Sequence, residues 1–249
     1  MNNVVVYSPI HYGVPFYKEA IQSIINDVDR YIVIYSATGS HGTQTDAEPP
    51  DSYGDLYKIA RDAAGSKLEW YSHHGFANES QQRMSVMNYL APDDEFLVAL
   101  DSDEVWSPSL LFKSVELARR HPEVGRWRLP MVHYWRSFKQ GITSPDLPDR
   151  LINLKATGDG VSTIPGEFGV IHHLGYAQPP RYIDYKWRIH GHKHEYRTDV
   201  DWFKERWLTN AQEDVHPVAI NHWYTFDVDP ETLPELLRNH LYAQMEVIE

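Results

Sequence analysis

Two aspartates separated by a single residue, Asp101 and Asp103, follow a run of five apolar residues. The run, residues 96–100, has no polar alternation and predicts a strand buried on both faces, as central parallel strands are. Successive side chains of an extended chain alternate in direction, so both carboxylates are expected on one side where the strand leaves its sheet. Like charges at such close range repel, and a divalent cation neutralises them. The pattern therefore predicts a metal site at the end of this strand.

Two simpler interpretations of the aspartate pair compete with a metal site. An EF-hand calcium loop requires Gly at its sixth position and Glu at its twelfth, where this chain has Trp106 and Phe112. The aspartates are not needed to cap the next helix, because Ser107 and Pro108 supply a cap and a proline at the first helical position. The metal site is therefore favoured.

Strands and helices alternate before the aspartates and place them at one edge of a sheet. The patterns predict strands at residues 4–7, 31–35, 67–71 and 95–100, and helices at residues 14–26, 53–64 and 78–90. This alternation is typical of an α/β protein with a parallel, doubly wound sheet. Ligands of such sheets bind beyond the carboxyl ends of the strands, which is where Asp101 and Asp103 lie.

The second half of the chain has a different pattern. It predicts strands at residues 125–134, 150–154 and 168–171, and helices at residues 107–120, 181–194 and 230–247. No repeat, low-complexity tract or linker interrupts the 249 residues. The two halves are therefore predicted to share one compact domain.

Composition limits the environment and the partners. The net charge of −12 provides no general attraction to nucleic acid or to an anionic membrane surface. Cysteine is absent, which excludes disulfides and thiolate chemistry and suits a reducing cytoplasm. No apolar run reaches the roughly 18 residues of a membrane span. We expect a cytoplasmic protein without stable membrane insertion.

Small and hydroxylated residues follow the first two strands at the same sheet edge, and they suit a base and a ribose. The candidates are Ser8, Pro9, Ser36, Gly39 and Ser40. Neither a Gly-x-Gly-x-x-Gly motif after the first strand nor a Gly-x4-Gly-Lys-Ser/Thr motif occurs, so dinucleotide and P-loop phosphate binding are unsupported. Phosphates would instead be held through a metal at the aspartates, whose oxygen ligands suit Mg²⁺ or Mn²⁺.

Two groups of histidines are candidates for metal binding. His172 and His173 follow a predicted strand and are supplementary ligands for a metal at the aspartates. His190 and His194 would share one face of a helix, as a zinc site requires. Because basic residues surround this second group, a solvated or phosphate-facing helix is favoured there over zinc.

Taken together, these stretches resemble the family 2 glycosyltransferases of the GT-A fold, in a bacterial or phage-type subgroup. The matching segments are residues 4–9, 28–34, 76–83, 96–104, 150–152 and 172–176, of which residues 96–104 are similar to the family's Asp-x-Asp-Glu motif. The resemblance is strong over residues 1–110, moderate to about residue 190, and absent beyond. It implies a mostly parallel central sheet with flanking helices, a nucleotide-sugar-binding half at 1–105 and an acceptor-binding half with C-terminal helices at 106–249.

The resemblance also implies a reaction, in which a sugar is transferred with inversion from a nucleotide diphosphate, with UDP favoured, by means of Mn²⁺ or Mg²⁺. Asp103 with Asp101 would hold the metal, a histidine of the 172–173 pair would complete it, and Asp101 alternatively contacts ribose. The family's acidic residue in the loop after the second strand is missing, with Ser36 and Ala37 in its place. This departure puts the usual carboxylate contact to the base or ribose in doubt.

An inverting transfer needs a general base on the acceptor hydroxyl. The candidates are Asp146, Asp159, Glu167, Glu213 and Asp214, among which Glu167 is favoured because it shortly precedes the histidine pair. The acceptor is left open between a saccharide, a small molecule, a protein and a hydroxylated DNA base.

Two other functions compete with sugar transfer. Nucleotidyl transfer would need a basic, Gly-rich loop after the first strand, and residues 8–13 have no Lys or Arg. A non-catalytic sugar- or nucleotide-binding module would keep the fold but not the chemistry, and the intact aspartates argue against it.

Overall fold

The strands form two β-sheets, one of seven strands and one of five. The structure is a computed structural model that describes residues 3–39, 46–143, 147–189, 201–213, 215 and 223–248. The strands are β1 Val4–Ile10, β2 Arg30–Ser36, β3 Leu68–His73, β4 Phe96–Ala99, β5 Glu104–Trp106, β6 Val124–Arg128, β7 Met131–Trp135, β8 Gln140–Ile142, β9 Asp149–Asn153, β10 Gly160–Thr163, β11 Ile171–Tyr176 and β12 Thr225–Asp227. The α-helices are α1 Val14–Ile24, α2 Tyr53–Ala64, α3 Glu79–Met84, α4 Leu110–Arg120, α5 Pro180–Ile189 and α6 Glu235–Arg238.

The larger sheet has the strand order β10-β6-β9-β4-β1-β2-β3. Its centre is parallel, since β1 pairs in parallel with β2 and β4, and β2 pairs in parallel with β3. Val4, Val5 and Val6 in the central strand are completely buried, as expected of a strand covered on both faces. The predicted fold class, an α/β protein with a mostly parallel central sheet and flanking helices, is confirmed.

The smaller sheet has the order β12-β8-β7-β11-β5. Since β4 belongs to the larger sheet and β5 to the smaller one, the chain crosses between the sheets at residues 100–103. β11 runs antiparallel to β5, with His173 opposite Glu104. The N–H of Leu174 donates to the carbonyl oxygen of Asp103 at 2.8 Å. The two aspartates therefore lie on the link between the sheets.

Helix α1 shows how the helices cover the larger sheet. Its apolar stripe of Phe16, Ala20, Ile21 and Ile24 is almost completely buried, as the periodicity predicts. Burial of each large apolar side chain in this stripe stabilises the fold by about 1.5–3 kcal/mol. No helix in the described part of the chain is long and apolar enough to span a bilayer.

The second half differs from its predicted strands at two places. The single strand predicted at 125–134 is two strands, β6 and β7, which lie in different sheets. Pro130 stands between them, and its missing N–H ends the ladder. The strand predicted at 168–171 is replaced by a 3₁₀ turn at Gly166–Phe168, and β11 starts only at Ile171.

The predicted helices of the second half are confirmed only in part. The helix predicted at 181–194 is α5 as far as Ile189, and residues 190–194 lie outside the described ranges. The helix predicted at 230–247 is wrong, because that stretch holds only a 3₁₀ turn at Pro230–Thr232 and the four-residue α6. Pro234 explains the break, since it lacks an N–H and disfavours helical geometry for the residue before it.

Candidate functional site

A cleft of about 220 Å³ opens at the carboxyl ends of β1 and β4. This is the edge at which the sequence places the ligand. Its lining includes the carboxylates of Glu79, Asp101 and Asp103 together with Arg83 and Lys186. The walls therefore carry cationic groups for an anionic ligand and carboxylates for a cation.

Asp101 is held by two arginines. Arg83 Nη2 donates to its two carboxylate oxygens at 3.1 and 3.2 Å, and Arg150 Nη2 donates to Oδ2 at 2.8 Å. Burial disfavours the charged carboxylate, but both guanidinium groups outweigh burial and hold the pKa of Asp101 well below its usual range. Because the arginines already neutralise Asp101, the repulsion argument for a metal does not apply to this residue. Its role as a metal ligand stays a prediction.

The two aspartates reach the cleft by a turn and not along an extended strand. The N–H of Glu104 donates to the carbonyl oxygen of Asp101 at 3.1 Å, which closes a turn over residues 101–104. The expectation that strand alternation aligns the carboxylates was therefore wrong. The chain has to turn here because it leaves one sheet and enters the other.

Asp103 is the carboxylate that lies next to a second candidate metal ligand, His173. Its Oδ2 accepts a hydrogen bond from Gln178 Nε2 at 3.1 Å and lies 3.6 Å from Lys186 Nζ. Its Oδ1 lies 3.7 Å from Nε2 of His173. Asp103 thus joins the aspartate turn to the end of β11 and to α5.

Only one histidine of the predicted pair reaches the cleft, because neighbouring side chains of β11 point to opposite faces. His173 lines the cleft, and its Nδ1 lies 2.7 Å from Nδ1 of His133. His172 is 2% exposed on the other face, where the hydroxyl of Tyr134 contacts its Nδ1 at 2.8 Å. The structure does not bring His172 to the aspartates. Burial, reinforced by the charge of Lys186, lowers the pKa of His173 to about 3 and keeps its ring neutral.

Asp103 and His173 fit a divalent cation that is shared with a ligand. Adjacent ligands of an octahedral Mg²⁺, each about 2.1 Å from the ion, lie about 3.0 Å apart, so Oδ1 and Nε2, now 3.7 Å apart, would have to move closer by less than 1 Å to share the ion. His133 orients the ring through its second nitrogen, as partners of metal-bound histidines do. The described residues contain no group of three such ligands, so phosphate oxygens would complete the coordination.

Behind Asp101 lies a buried ion pair that the sequence analysis missed. Glu104 is fully buried, and both its oxygens accept hydrogen bonds from Nε of Arg150 at 3.0 and 3.1 Å. Burial raises the pKa of Glu104 to about 7, against the opposing charge of Arg150. Both residues belong to segments that carry the family resemblance, but a pairing of residues 46 positions apart has no local sequence signal.

Two of the five nucleoside-binding candidates are core residues. Ser8 is fully buried, where its hydroxyl donates to the carbonyl of Leu100 at 2.7 Å and accepts from the hydroxyl of Tyr31 at 2.8 Å. Ser36 is fully buried too, and its hydroxyl donates to the carbonyl of Thr38. Both hydroxyls serve the backbone, and neither residue lines the cleft.

The other three candidates have different positions. Pro9 lines the cleft. Gly39 does not line the cleft and lies against Ile189 of α5 instead. A Cβ placed on Gly39 would be 3.6 Å from the Cβ of Ile189. Ser40 is outside the described residues. Among the four candidates that the structure describes, Pro9 alone lines the cleft.

None of the three general-base candidates in the described part of the chain lines the cleft. Glu167 is exposed on the turn before β11, and it does not line the cleft. Asp159 and Glu213 do not line it either. Asp146 and Asp214 lie outside the described residues, as do His190 and His194.

Gly13 fixes the loop between β1 and α1 against the aspartate turn. It has φ +140°, a conformation that L side chains rarely adopt, and a Cβ there would lie 2.0 Å from Oγ of Ser102. Its N–H and that of Val14 donate to Oδ2 of Asp51 at 2.7 and 2.9 Å. The same carboxylate accepts a hydrogen bond from the hydroxyl of Tyr182 in α5.

Gly13→Ala is expected to destabilise the protein by about 1–3 kcal/mol, because it combines backbone strain with a clash. Ser102→Gly in the same chain removes the clash but not the strain, so it should restore only part of the loss. Urea unfolding of Gly13→Ala, with and without Ser102→Gly, measures the contributions of the strain and of the clash to the free energy of unfolding. Gly166→Ala is a matched control, since a Cβ there meets no atom within 4 Å. Equal stability of the two alanine variants would contradict the prediction.

No protein-family model matches this sequence, and no curated protein matches it. Among solved structures, the fold is similar to residues 1–349 of S. aureus TarS, with 11% identity, a TM-score of 0.46, and 80% of this chain and 66% of that one covered. It is similar to the mannosyltransferase PcManGT from Pyrobaculum calidifontis in complex with GDP-Man and Mn²⁺, with 14% identity, a TM-score of 0.48, and 75% and 60% covered.

A third similar structure is the 4-diphosphocytidyl-2C-methyl-D-erythritol synthase from Anaerococcus prevotii, with 9% identity, a TM-score of 0.40, and 68% of this chain and 86% of that one covered. This chain spans less than two thirds of the first two proteins. All three likenesses are too distant to transfer an activity. The function has to be argued from the cleft itself.

Proposed function

We propose that this protein transfers a sugar from a nucleotide-diphosphate donor to a hydroxyl acceptor with the help of Mn²⁺ or Mg²⁺. The observation that supports this most directly is the pair formed by Asp103 and His173, whose facing atoms lie 3.7 Å apart in the cleft. Lys186 and Arg83 in the same lining partly offset the charge of the three carboxylates there, and a bound divalent cation would supply the remaining positive charge that a diphosphate needs. UDP is the proposed nucleotide, and the cytoplasm is the proposed compartment.

Five residues of the cleft have roles in this proposal. Asp103 and His173 would hold the metal, which when bound stabilises the negative charge of the departing diphosphate as a Lewis acid. Lys186 adds a fixed positive charge beside the same carboxylate. Asp101, held in place by its arginines, and Pro9 are proposed to contact the nucleoside.

We propose inversion at the anomeric carbon, which requires a base on the face opposite the leaving group. Glu167 is not proposed for this role, because it does not line the cleft. Asp146 and Asp214 stay candidates. The acceptor is proposed to bind through the second half of the chain, residues 106–249, and its class stays open between a saccharide, a small molecule, a protein and a hydroxylated DNA base.

A thermal-shift panel of UDP, GDP and their sugars, with and without Mn²⁺, tests this function. A ligand that binds only the folded state stabilises it by about 2.7 kcal/mol at a hundred times its Kd. We expect stabilisation by a nucleotide diphosphate that is much larger with Mn²⁺ than without it. A panel in which no nucleotide raises the melting temperature with Mn²⁺ would contradict the proposal.

Two alternatives are distinguished by the products that are released when the protein is incubated with its candidate substrates. A non-catalytic binding module would bind the donor but release no nucleotide diphosphate during incubation. A nucleotidyltransferase would instead consume a nucleoside triphosphate and a sugar phosphate and release pyrophosphate. The loop after β1, at residues 11–13, contains no Lys or Arg for a triphosphate, which disfavours this second alternative.

His133→Phe is expected to lower the affinity for Mn²⁺ although His133 does not line the cleft. The substitution removes the partner of His173 Nδ1, and loss of such a partner typically weakens metal binding by about 10- to 100-fold. Calorimetric titration with Mn²⁺ in the presence of the nucleotide measures this. His121→Phe, which alters an exposed histidine paired with Glu123, is the control. Unchanged Mn²⁺ affinity in His133→Phe would show that His173 does not depend on this partner.

A further inference from the structure

Gln178 is a buried residue of the cleft with an unsatisfied oxygen. It is 3% exposed and lies between the end of β11 and the start of α5. The N–H of Ala177 donates to the carbonyl of Leu174 at 3.0 Å, and Pro179 and Pro180 follow directly. Proline fixes its own φ and restricts the residue before it, so the backbone holds this side chain firmly at the cleft.

The orientation of the Gln178 amide follows from its partner. Nε2 lies 3.1 Å from Oδ2 of Asp103. An ionised carboxylate only accepts hydrogen bonds, so the amide nitrogen must face Asp103 and the amide oxygen must point elsewhere. Rotating the amide by half a turn would bring two acceptors together.

The oxygen Oε1 of Gln178 has no hydrogen-bond partner among the described residues, although it is buried. Buried polar atoms of proteins are nearly always hydrogen-bonded, and Gln178 is a lining residue of the cleft, so a bound ligand is a candidate for the missing partner. That partner must be a hydrogen-bond donor, since an amide oxygen only accepts. The oxygens of an ionised diphosphate carry no hydrogen and are therefore excluded.

We propose that Oε1 of Gln178 accepts a hydrogen bond from a hydroxyl group of the sugar that is transferred, which makes Gln178 a determinant of donor specificity. This inference rests on the proposed function. The sugar is directly bonded to the diphosphate, and the diphosphate is proposed to bind at Asp103, which is the residue that Gln178 contacts. The ribose is joined to the diphosphate as well, but the nucleoside is proposed to contact Asp101 and Pro9, which leaves the hydroxyl groups of the transferred sugar for this amide.

The role of Gln178 is separable from its contact with Asp103. Losing the hydrogen bond to Asp103 would disturb the site of the metal and the diphosphate. It would therefore weaken binding of the nucleotide diphosphate and of the nucleotide sugar by the same factor. Losing the oxygen would weaken only the ligand that carries the sugar. The ratio of the two dissociation constants therefore isolates the contact with the sugar.

The test measures binding of UDP and UDP-glucose, and of GDP and GDP-mannose, to the full chain in Mn²⁺ by calorimetry. Gln178→Met keeps the size of the side chain but has no acceptor for a hydroxyl. We expect the preference for the nucleotide sugar over its nucleotide diphosphate to fall about tenfold in this variant, the effect of losing one hydrogen bond in a buried site. Gln178→Asn retains an amide but is one methylene shorter, and its preference for the nucleotide sugar should fall as well. This second variant keeps the test valid if Gln178→Met does not fold.

Lys186→Met is the matched control, because Lys186 lies near the same oxygen of Asp103. It should weaken the binding of UDP and of UDP-glucose by equal factors and leave the ratio of their dissociation constants unchanged. A ratio that stays unchanged in both Gln178 variants, while the nucleotide diphosphate still binds, would overturn this inference and leave the proposed function intact. If the wild-type protein binds neither nucleotide diphosphate, the proposed function falls and this inference falls with it.

Discussion

Asp103→Asn should abolish Mn²⁺-dependent donor binding and lower the rate of transfer by about 10³-fold, which corresponds to the several kcal/mol that a catalytic metal contributes. The amide keeps the shape of the side chain but lacks the negative charge that attracts a cation. Asp103 does not pair with Arg83 or Arg150, so the melting temperature should change little. The measurements are donor binding with and without Mn²⁺, release of nucleotide diphosphate, and thermal unfolding.

Asp159→Asn is the matched control, because Asp159 is an exposed carboxylate that does not line the cleft. It should retain full binding and full activity. Asp101→Asn provides a second comparison, since its charge is balanced by Arg83 and Arg150 and its loss should reduce stability as well. Donor affinity and Mn²⁺ dependence that persist in Asp103→Asn would refute the metal site.

Arg150→Met should destabilise the fold by about 3–5 kcal/mol, the usual cost of leaving a buried charge without its partner. Glu104 has no exposed surface, so water cannot replace the guanidinium group. The free energy of unfolding in urea measures the loss. The double variant Glu104→Gln, Arg150→Met should recover a large part of it, because a neutral amide is less costly to bury than an unpaired carboxylate.

The stability loss of the single variant Arg150→Met should depend on pH in a defined direction. The folded-state pKa of Glu104 is already raised to about 7 by burial, and removing Arg150 raises it further. A carboxyl group with a raised folded pKa contributes stability at low pH and loses it as pH rises through that pKa. The loss in Arg150→Met should thus be larger at pH 8 than at pH 5.

Arg126→Met tests whether burial is the cause. Arg126 forms an ion pair with Asp149 at 3.2 Å, but its side chain is 54% exposed. Exposed pairs contribute about 0–1 kcal/mol, so this variant should lose little stability at either pH. Equal losses in Arg126→Met and Arg150→Met would contradict the prediction.

The first half of the fold could be predicted because each element carries its own signal. The apolar runs of β1 and β4 and the stripe of α1 have periods that identify them without any distant contact. The second half gave weaker signals, since β5, β8 and β12 have three residues each and are too short for a pattern. The helix expected at 230–247 is interrupted at Pro234, and the helix that begins after this proline ends at Arg238.

The candidate site could be predicted only as far as sheet topology carries it. Asp101 and Asp103 follow β4 and Pro9 lies near the end of β1, and both strands end at the same edge, so the convergence of these residues follows from the order of the strands. The pairing of His173 with His133 and of Gln178 with Asp103 depends on how the smaller sheet and α5 pack. Such contacts are set by tertiary packing, and no spacing in the sequence encodes them.

The crossing of the chain between the two sheets has a mechanical consequence for the cleft. Four residues separate β4 from β5, and even fully extended they would reach only about 14 Å. They act as a short tether between the two sheets, as do the two residues between β6 and β7, so the sheets cannot move far apart at either place. Loops remote from this tether are free to vary in length and sequence without altering the distance between Asp101 and Asp103.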